Sequence, residues 1–135
     1  MVTRYSGVWR YLLLMQNPAN LRVTGQARQL ALTVYRATER FSPAERFGLA
    51  GQMRRAAISI GSNIAEGCGR FGNRELVQFL QIALGSASEL EFQAQIAADL
   101  GILGADDAVS LPTQIGTMKG MLIRLIKSRR SRDKR

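Results

Sequence analysis

Apolar side chains recur along this chain at alternating spacings of three and four, and no apolar–polar alternation of period two runs long enough for a strand. Ala27, Leu30, Val34, Ala37 and Phe41 form the first series and predict a helix over 26–41. Leu49, Met53, Ala56, Ile60 and Ile64 form the second, on a helix predicted over 42–67. Ser42 would cap it, Pro43 would take the first helical position, and Glu45 would reach back to complete a capping box. Gly67 would end it in a left-handed conformation. Leu76, Leu80, Ala83, Ala87, Leu90, Ala94 and Ala97 predict a third helix over 74–100, capped by Asn73 and stopped by Gly101 and Ile102. Leu111, Ile115, Met118, Leu122 and Leu125 mark a fourth, with Pro112 in its first turn or at a kink. The expected fold class is all-α, an antiparallel up-down four-helix bundle.

The second helix carries a polar stripe beside its apolar one: Gln52, Arg55, Ser59, Asn63 and Glu66, with Arg54 alongside. Short and hydrogen-bonding side chains at helical spacing suit contact with another polar surface, within the subunit or between subunits. Ser86, Glu89 and Gln93 on the third helix form a matching stripe, and the register predicts an Arg55–Glu89 contact. Small residues, including Ala57, Gly61, Ala83 and Gly85, are frequent on both helices. An interior glycine costs up to about 1 kcal/mol of helix propensity against alanine, and close backbone approach would offset it. Helices two and three are therefore expected to be the most tightly packed pair.

A chain of 135 residues suffices for one domain with one core. Its formal net charge of +9 is unevenly placed. Arg4, Arg10, Arg22, Arg28, Arg36 and Arg40 face a single acid, Glu39, in the first 41 residues, whereas 42–126 are close to neutral. The last nine, KSRRSRDKR, hold six cations and Asp133. These shifts divide the chain into an extension (1–20), the bundle (21–126) and a basic tail (127–135). The tail fits phosphate contact or a solubilising end equally well. No aromatic interleaves it, which argues against base stacking by the tail.

Histidine is absent and Cys68 is the lone cysteine. That composition argues against zinc, haem and iron–sulfur sites, His-dependent catalysis and internal disulfides, so no metal or cofactor is expected and a reducing cytoplasm is the default. Val8 to Met15 is apolar but far short of the roughly 20 residues that span a bilayer, and Arg10 interrupts it. Tyr5, Trp9 and Tyr11 would dock onto the core, unless the true domain starts downstream. Gly67-Cys68-Gly69-Arg70-Phe71-Gly72 matches G-x-G-x-x-G, but a helix rather than a strand precedes it, so it reads as a helix–helix turn. Glu66, Glu89 and Glu91 lack a nucleophile or metal partner, and pairing with Arg54 or Arg55 is the plainer role. No catalytic residue is expected.

GLAGQMRRAAISIGSNIAEGCGR followed by FLQIALGSASELEFQAQIAADLG resembles the small bacterial four-helix-bundle family that includes the proteins encoded by intervening sequences of large-subunit ribosomal RNA genes and the accessory variability protein of diversity-generating retroelements. Gln52, Arg54 to Ala57, Ser59, Asn63 to Gly67, Gly85-Ser86 and Glu89 to Glu91 fall where the family pattern has them, and the resemblance runs from Leu21 to Ile126. It departs at Thr24, usually tryptophan in the family, at residues 1–20, which are extra, and at Pro112. The resemblance implies an antiparallel protomer in a ring-like homopentamer with a basic surface. For the retroelement member it also implies RNA and a reverse transcriptase as partners. The expectation is a non-enzymatic oligomer binding structured nucleic acid, RNA rather than DNA, through Arg28, Arg36, Lys127, Arg129, Arg130, Arg132, Lys134 and Arg135. The rival is a protein-interaction scaffold without nucleic-acid binding.

Overall fold

The computed structural model describes residues 17–45 and 47–133, which form four helices and no strand. They are α1 (Pro18–Glu39), α2 (Leu49–Cys68), α3 (Asn73–Asp99) and α4 (Ala105–Asp133), with a single 3-10 turn, Pro43–Glu45, between the first two. The aromatic segment around Trp9 lies outside the described residues.

Helix α1 starts eight residues before the apolar series suggests. Asn17 Oδ1 accepts from the backbone N–H groups of Ala19 (3.0 Å) and Asn20 (3.3 Å), and Pro18 occupies the first turn, where its missing N–H costs nothing. The apolar series hides this start because Asn20, a polar residue, fills the buried position one turn before Val23. Residue 20 is thus inside α1 rather than at its edge.

The capping box at Ser42 does not form as expected. The Glu45 N–H donates to the Ser42 backbone carbonyl (2.9 Å), closing the 3-10 turn, and α2 begins only at Leu49, with Gly48 as a cap that has no side chain to offer. A glycine in the second predicted turn is the weak point at which the helix fails to propagate backwards. At the other end, the α2 cap is Gly69 and the α3 cap is Gly72, so neither Gly67 nor Asn73 caps a helix. Gly101 behaves as expected. It is the residue with positive φ (+71°) among those described, its N–H donates to Ala98 and that of Ile102 to Ala97, the paired bonds of a Schellman stop. Helix α4 begins at Ala105, so Pro112 lies inside it and leaves the Ala108 carbonyl without its usual donor.

The heptad residues of all four helices converge on one core. Leu30, Met53, Ile60, Ile64, Leu80, Leu90, Leu111, Ile115, Met118 and Leu122 are fully buried. Each helix packs on the two beside it in the cycle α1, α2, α3, α4, and the α2–α3 contact is the most extensive. Close backbone approach occurs at Gly67 of that pair. A methyl group on Gly67 would lie 2.8 Å from Phe79 Cβ, whereas Gly61 meets only Ala27 at 3.8 Å and Gly85 meets nothing within 4 Å. Among the described residues no helix is long and apolar enough to cross a membrane.

Candidate nucleic-acid interface

Positive charge on a folded surface is available to a ligand only where the protein's own carboxylates leave it unpaired. Among the described residues, the ion pairs join Arg70 to Glu66 (2.9 Å) and Glu75 (4.0 Å), and Lys119 to Glu91 (3.3 Å). Arg28 and Arg36 on α1 and Lys127, Arg130 and Arg132 on α4 are exposed and take part in none of them. Arg22 on α1, Arg40 at the C-cap of α1 and Arg124 on α4 share that state and were not singled out from the sequence, where they stand isolated between runs. Arg22 and Arg124 line opposite walls of a cavity of about 240 Å³ along the α1–α4 seam, floored by Ala19, Val23, Met121 and Leu125. Lys134 and Arg135 lie outside the described residues.

Arg129 lies apart from these exposed cations. Residues 127–133 are not a separate tail but the last two turns of α4, and that register turns Arg129 inward, where it is only 5% exposed. Its Nη2 donates to Asn20 Oδ1 at 3.4 Å, and its Nε is buried without a partner among the described residues. Burial pulls its pKa down, with the neighbouring Arg132 adding to the effect. A basic run on a helix cannot be solvated all round when the helix is docked; one residue in each turn or so must face the core. Close to Arg129, burial pushes the Cys68 thiol up to about 11, the guanidinium opposing only part of the shift. Such a thiol is protonated and unreactive near neutrality.

The polar stripe of α2 splits into four roles. Arg54 leans back onto α1: its Nε donates to Thr38 Oγ1 (2.8 Å), its Nη2 to the Tyr35 carbonyl (3.3 Å), and its guanidinium lies 4.7 Å from the Tyr35 ring centre. Ser59 Oγ meets Ser86 Oγ at 2.9 Å across the α2–α3 seam, and Asn63 Nδ2 donates to the Ser59 carbonyl (2.8 Å) and hydroxyl (3.1 Å). Gln52 and Arg55 face outward. The expected Arg55–Glu89 contact is absent: Glu89 accepts instead from Gln93 on its own helix at 3.2 Å. Glu66 holds Arg70 at 2.9 Å.

Two features were not legible as surface chemistry. Phe47 and Phe71, in the loops before α2 and α3, are 90% and 104% exposed. The G-x-G-x-x-G letters around Phe71 form the end of α2 and a tight connection to α3, without the strand a dinucleotide site needs. Among the described residues no group of three His, Cys, Asp or Glu side chains could hold a metal ion.

These features define an all-α protein, with four helices and with cations on α1 and α4 that enter no ion pair among the described residues. The chain belongs to the 23S rRNA-intervening sequence protein family, whose model matches residues 19–124. Among solved structures it is similar to a protein of unknown function from the S23 ribosomal protein family of Bacteroides thetaiotaomicron VPI-5482, with a TM-score of 0.74 and 21% identity over 81% of this chain and 98% of that one. At that identity the likeness shows the fold. No curated protein matches.

Proposed function

We propose that this chain is a non-enzymatic, cytoplasmic nucleic-acid-binding protein that holds structured RNA, in preference to DNA, through phosphate contacts. The observation that carries the reading is the set of exposed cations, Arg28, Arg36, Lys127, Arg130 and Arg132 with Arg22, Arg40 and Arg124, none of which enters an ion pair among the described residues. Contacts of this kind give affinity with little sequence readout. The protomer is an antiparallel up-down bundle. Gly67 against Phe79 and Ser59 against Ser86 support opposite directions for α2 and α3, and Asn20 against Arg129 and Thr33 against Gln114 do so for α1 and α4. A ring-like pentamer would multiply the cations on one assembly, and the family resemblance makes a reverse transcriptase a further partner.

Binding of labelled structured RNA across a salt series tests this, with the full chain and two charge variants, Arg28→Ala/Arg36→Ala and Lys127→Ala/Arg130→Ala/Arg132→Ala. Truncation at 126 is unsuitable because it would also remove the buried Arg129. The slope of log affinity against log salt should shrink by about 0.7–0.9 for each phosphate that a variant no longer neutralises. No binding at low salt would favour the scaffold reading.

A further inference from the structure

The connection between α2 and α3 is short and pinned on both sides. The Gly69 N–H donates to Ala65 and Glu66, the Arg70 N–H to Gly67, and the Leu76 N–H to Gly72. The Arg70 side chain is anchored to Glu66 at 2.9 Å, with Glu75 at 4.0 Å, and lies 5.2 Å from the Phe79 ring centre. Between these anchors Phe71 points wholly into solvent, 104% exposed. A phenyl ring held out on a braced loop loses little freedom when something stacks on it.

Its surroundings select the partner. Protein-binding aromatic anchors sit within a patch whose neighbouring contacts exclude water. Phe71 is instead flanked by Gly69, Gly72 and arginines, of which Arg74, in the first turn of α3, is exposed and in no ion pair among the described residues. Cys68, at the end of α2, feels the charge of Arg129, so the last turns of α4 with exposed Arg130 and Arg132 occupy this same end of the bundle. Asn20 on Arg129 brings the start of α1 there too, with exposed Arg22. Glu66 and Glu75, the carboxylates described beside the loop, are engaged with Arg70. An exposed ring among cations is the arrangement that binds unpaired bases, ring on base and cation on phosphate.

We infer that Phe71 is a stacking platform for an unpaired base, with Arg74 taking a flanking phosphate, so that this end of the bundle selects single-stranded or loop RNA over fully paired duplex. The inference rests on the nucleic-acid reading and adds its substrate class.

Fluorescence anisotropy with three labelled RNAs (a single strand, a hairpin with an open loop and a blunt duplex) tests it on the full chain. Phe71→Ala should weaken single-strand and loop binding about 5- to 100-fold, as at other base-stacking aromatics, and leave duplex binding and the salt slope unchanged. Phe71→Tyr should restore affinity. Arg130→Ala/Arg132→Ala should weaken all three RNAs and reduce the slope. If Phe71→Ala binds the single strand as wild type does, the platform is overturned while RNA binding stands, and the ring becomes a protein contact. If the wild type binds none of the RNAs, the nucleic-acid reading fails and the platform with it. An unchanged melting curve for Phe71→Ala is expected, since the ring touches no core residue.

Discussion

Gly67 of α2 and Phe79 of α3 approach so closely that a Cβ on the glycine would stand 2.8 Å from the phenylalanine Cβ and 3.1 Å from Leu76 Cδ1. The absence of a side chain at 67 therefore sets the spacing of the two helices at the end of their seam. Gly67→Ala gains about 1 kcal/mol of helix propensity but overpacks backbone-proximal atoms, at a cost of about 1–3 kcal/mol. The variant should melt below wild type. Gly61→Ala is the matched control, because its new methyl would meet only Ala27 Cβ at an ordinary 3.8 Å. It should gain up to about 1 kcal/mol by chemical denaturation. Equal effects from the two would contradict a tight contact confined to Gly67.

The polar stripe makes opposite predictions for two pairs on the same seam. Ser59 and Ser86 share a half-buried hydrogen bond of 2.9 Å, so a double-alanine cycle should show a coupling of about 0.5–1.5 kcal/mol. Arg55 and Glu89 make no ion pair, and their alanine substitutions should add within about 0.5 kcal/mol. A strong Arg55–Glu89 coupling in the monomeric unit would place the α2–α3 register wrongly.

Much of this was visible in the residues, and the failures share a cause. Period-three-and-four spacing identified all four helices, because the buried face of each is almost purely aliphatic. It failed at their ends, where polar residues are buried and glycines decide. Asn20 hid the first turns of α1, and Gly48 displaced the start of α2 from Ser42 to Leu49. The polar stripe was legible as a stripe, but which member bonds to which is decided by the rotation of each helix. Arg54 turns to Thr38 on α1, and Ser59 crosses to Ser86 on α3. The basic run was legible as charge; its inward member was not, because composition carries no phase.

Cys68 supplies a test in alkaline solution. Its folded thiol has a pKa of about 11, against an ordinary 9.0, because burial disfavours the thiolate. As pH climbs past 9 the unfolded chain loses this proton first, so the folded state binds more protons and stability falls with pH. The contribution is fully present below about 9 and lost as pH passes through about 11. Wild type should therefore lose melting temperature more steeply than Cys68→Ala between these values, the difference isolating this group. Parallel curves would show the thiol to be open to water. At pH 7–8 native protein should react slowly with thiol reagents and rapidly once unfolded.

Arg129 and Arg130 are adjacent in sequence and should behave as different kinds of residue. Arg130 is exposed, so Arg130→Ala should leave the melting temperature in place and reduce both RNA affinity and its salt slope. Arg129 is buried with an unpartnered Nε and one long hydrogen bond to Asn20, and no carboxylate pairs with it among the described residues. An unsatisfied buried donor costs about 1–3 kcal/mol, and replacing both partners of a buried polar pair by apolar side chains of similar size is commonly neutral or stabilising. Arg129→Met/Asn20→Leu, which removes donor and acceptor together, should thus melt at or above the wild-type temperature while binding RNA with an unchanged salt slope. A fall of several degrees would mean the guanidinium holds α4 to α1. A shallower slope would mean that Arg129 reaches phosphate after all, by a turning outward of the end of α4.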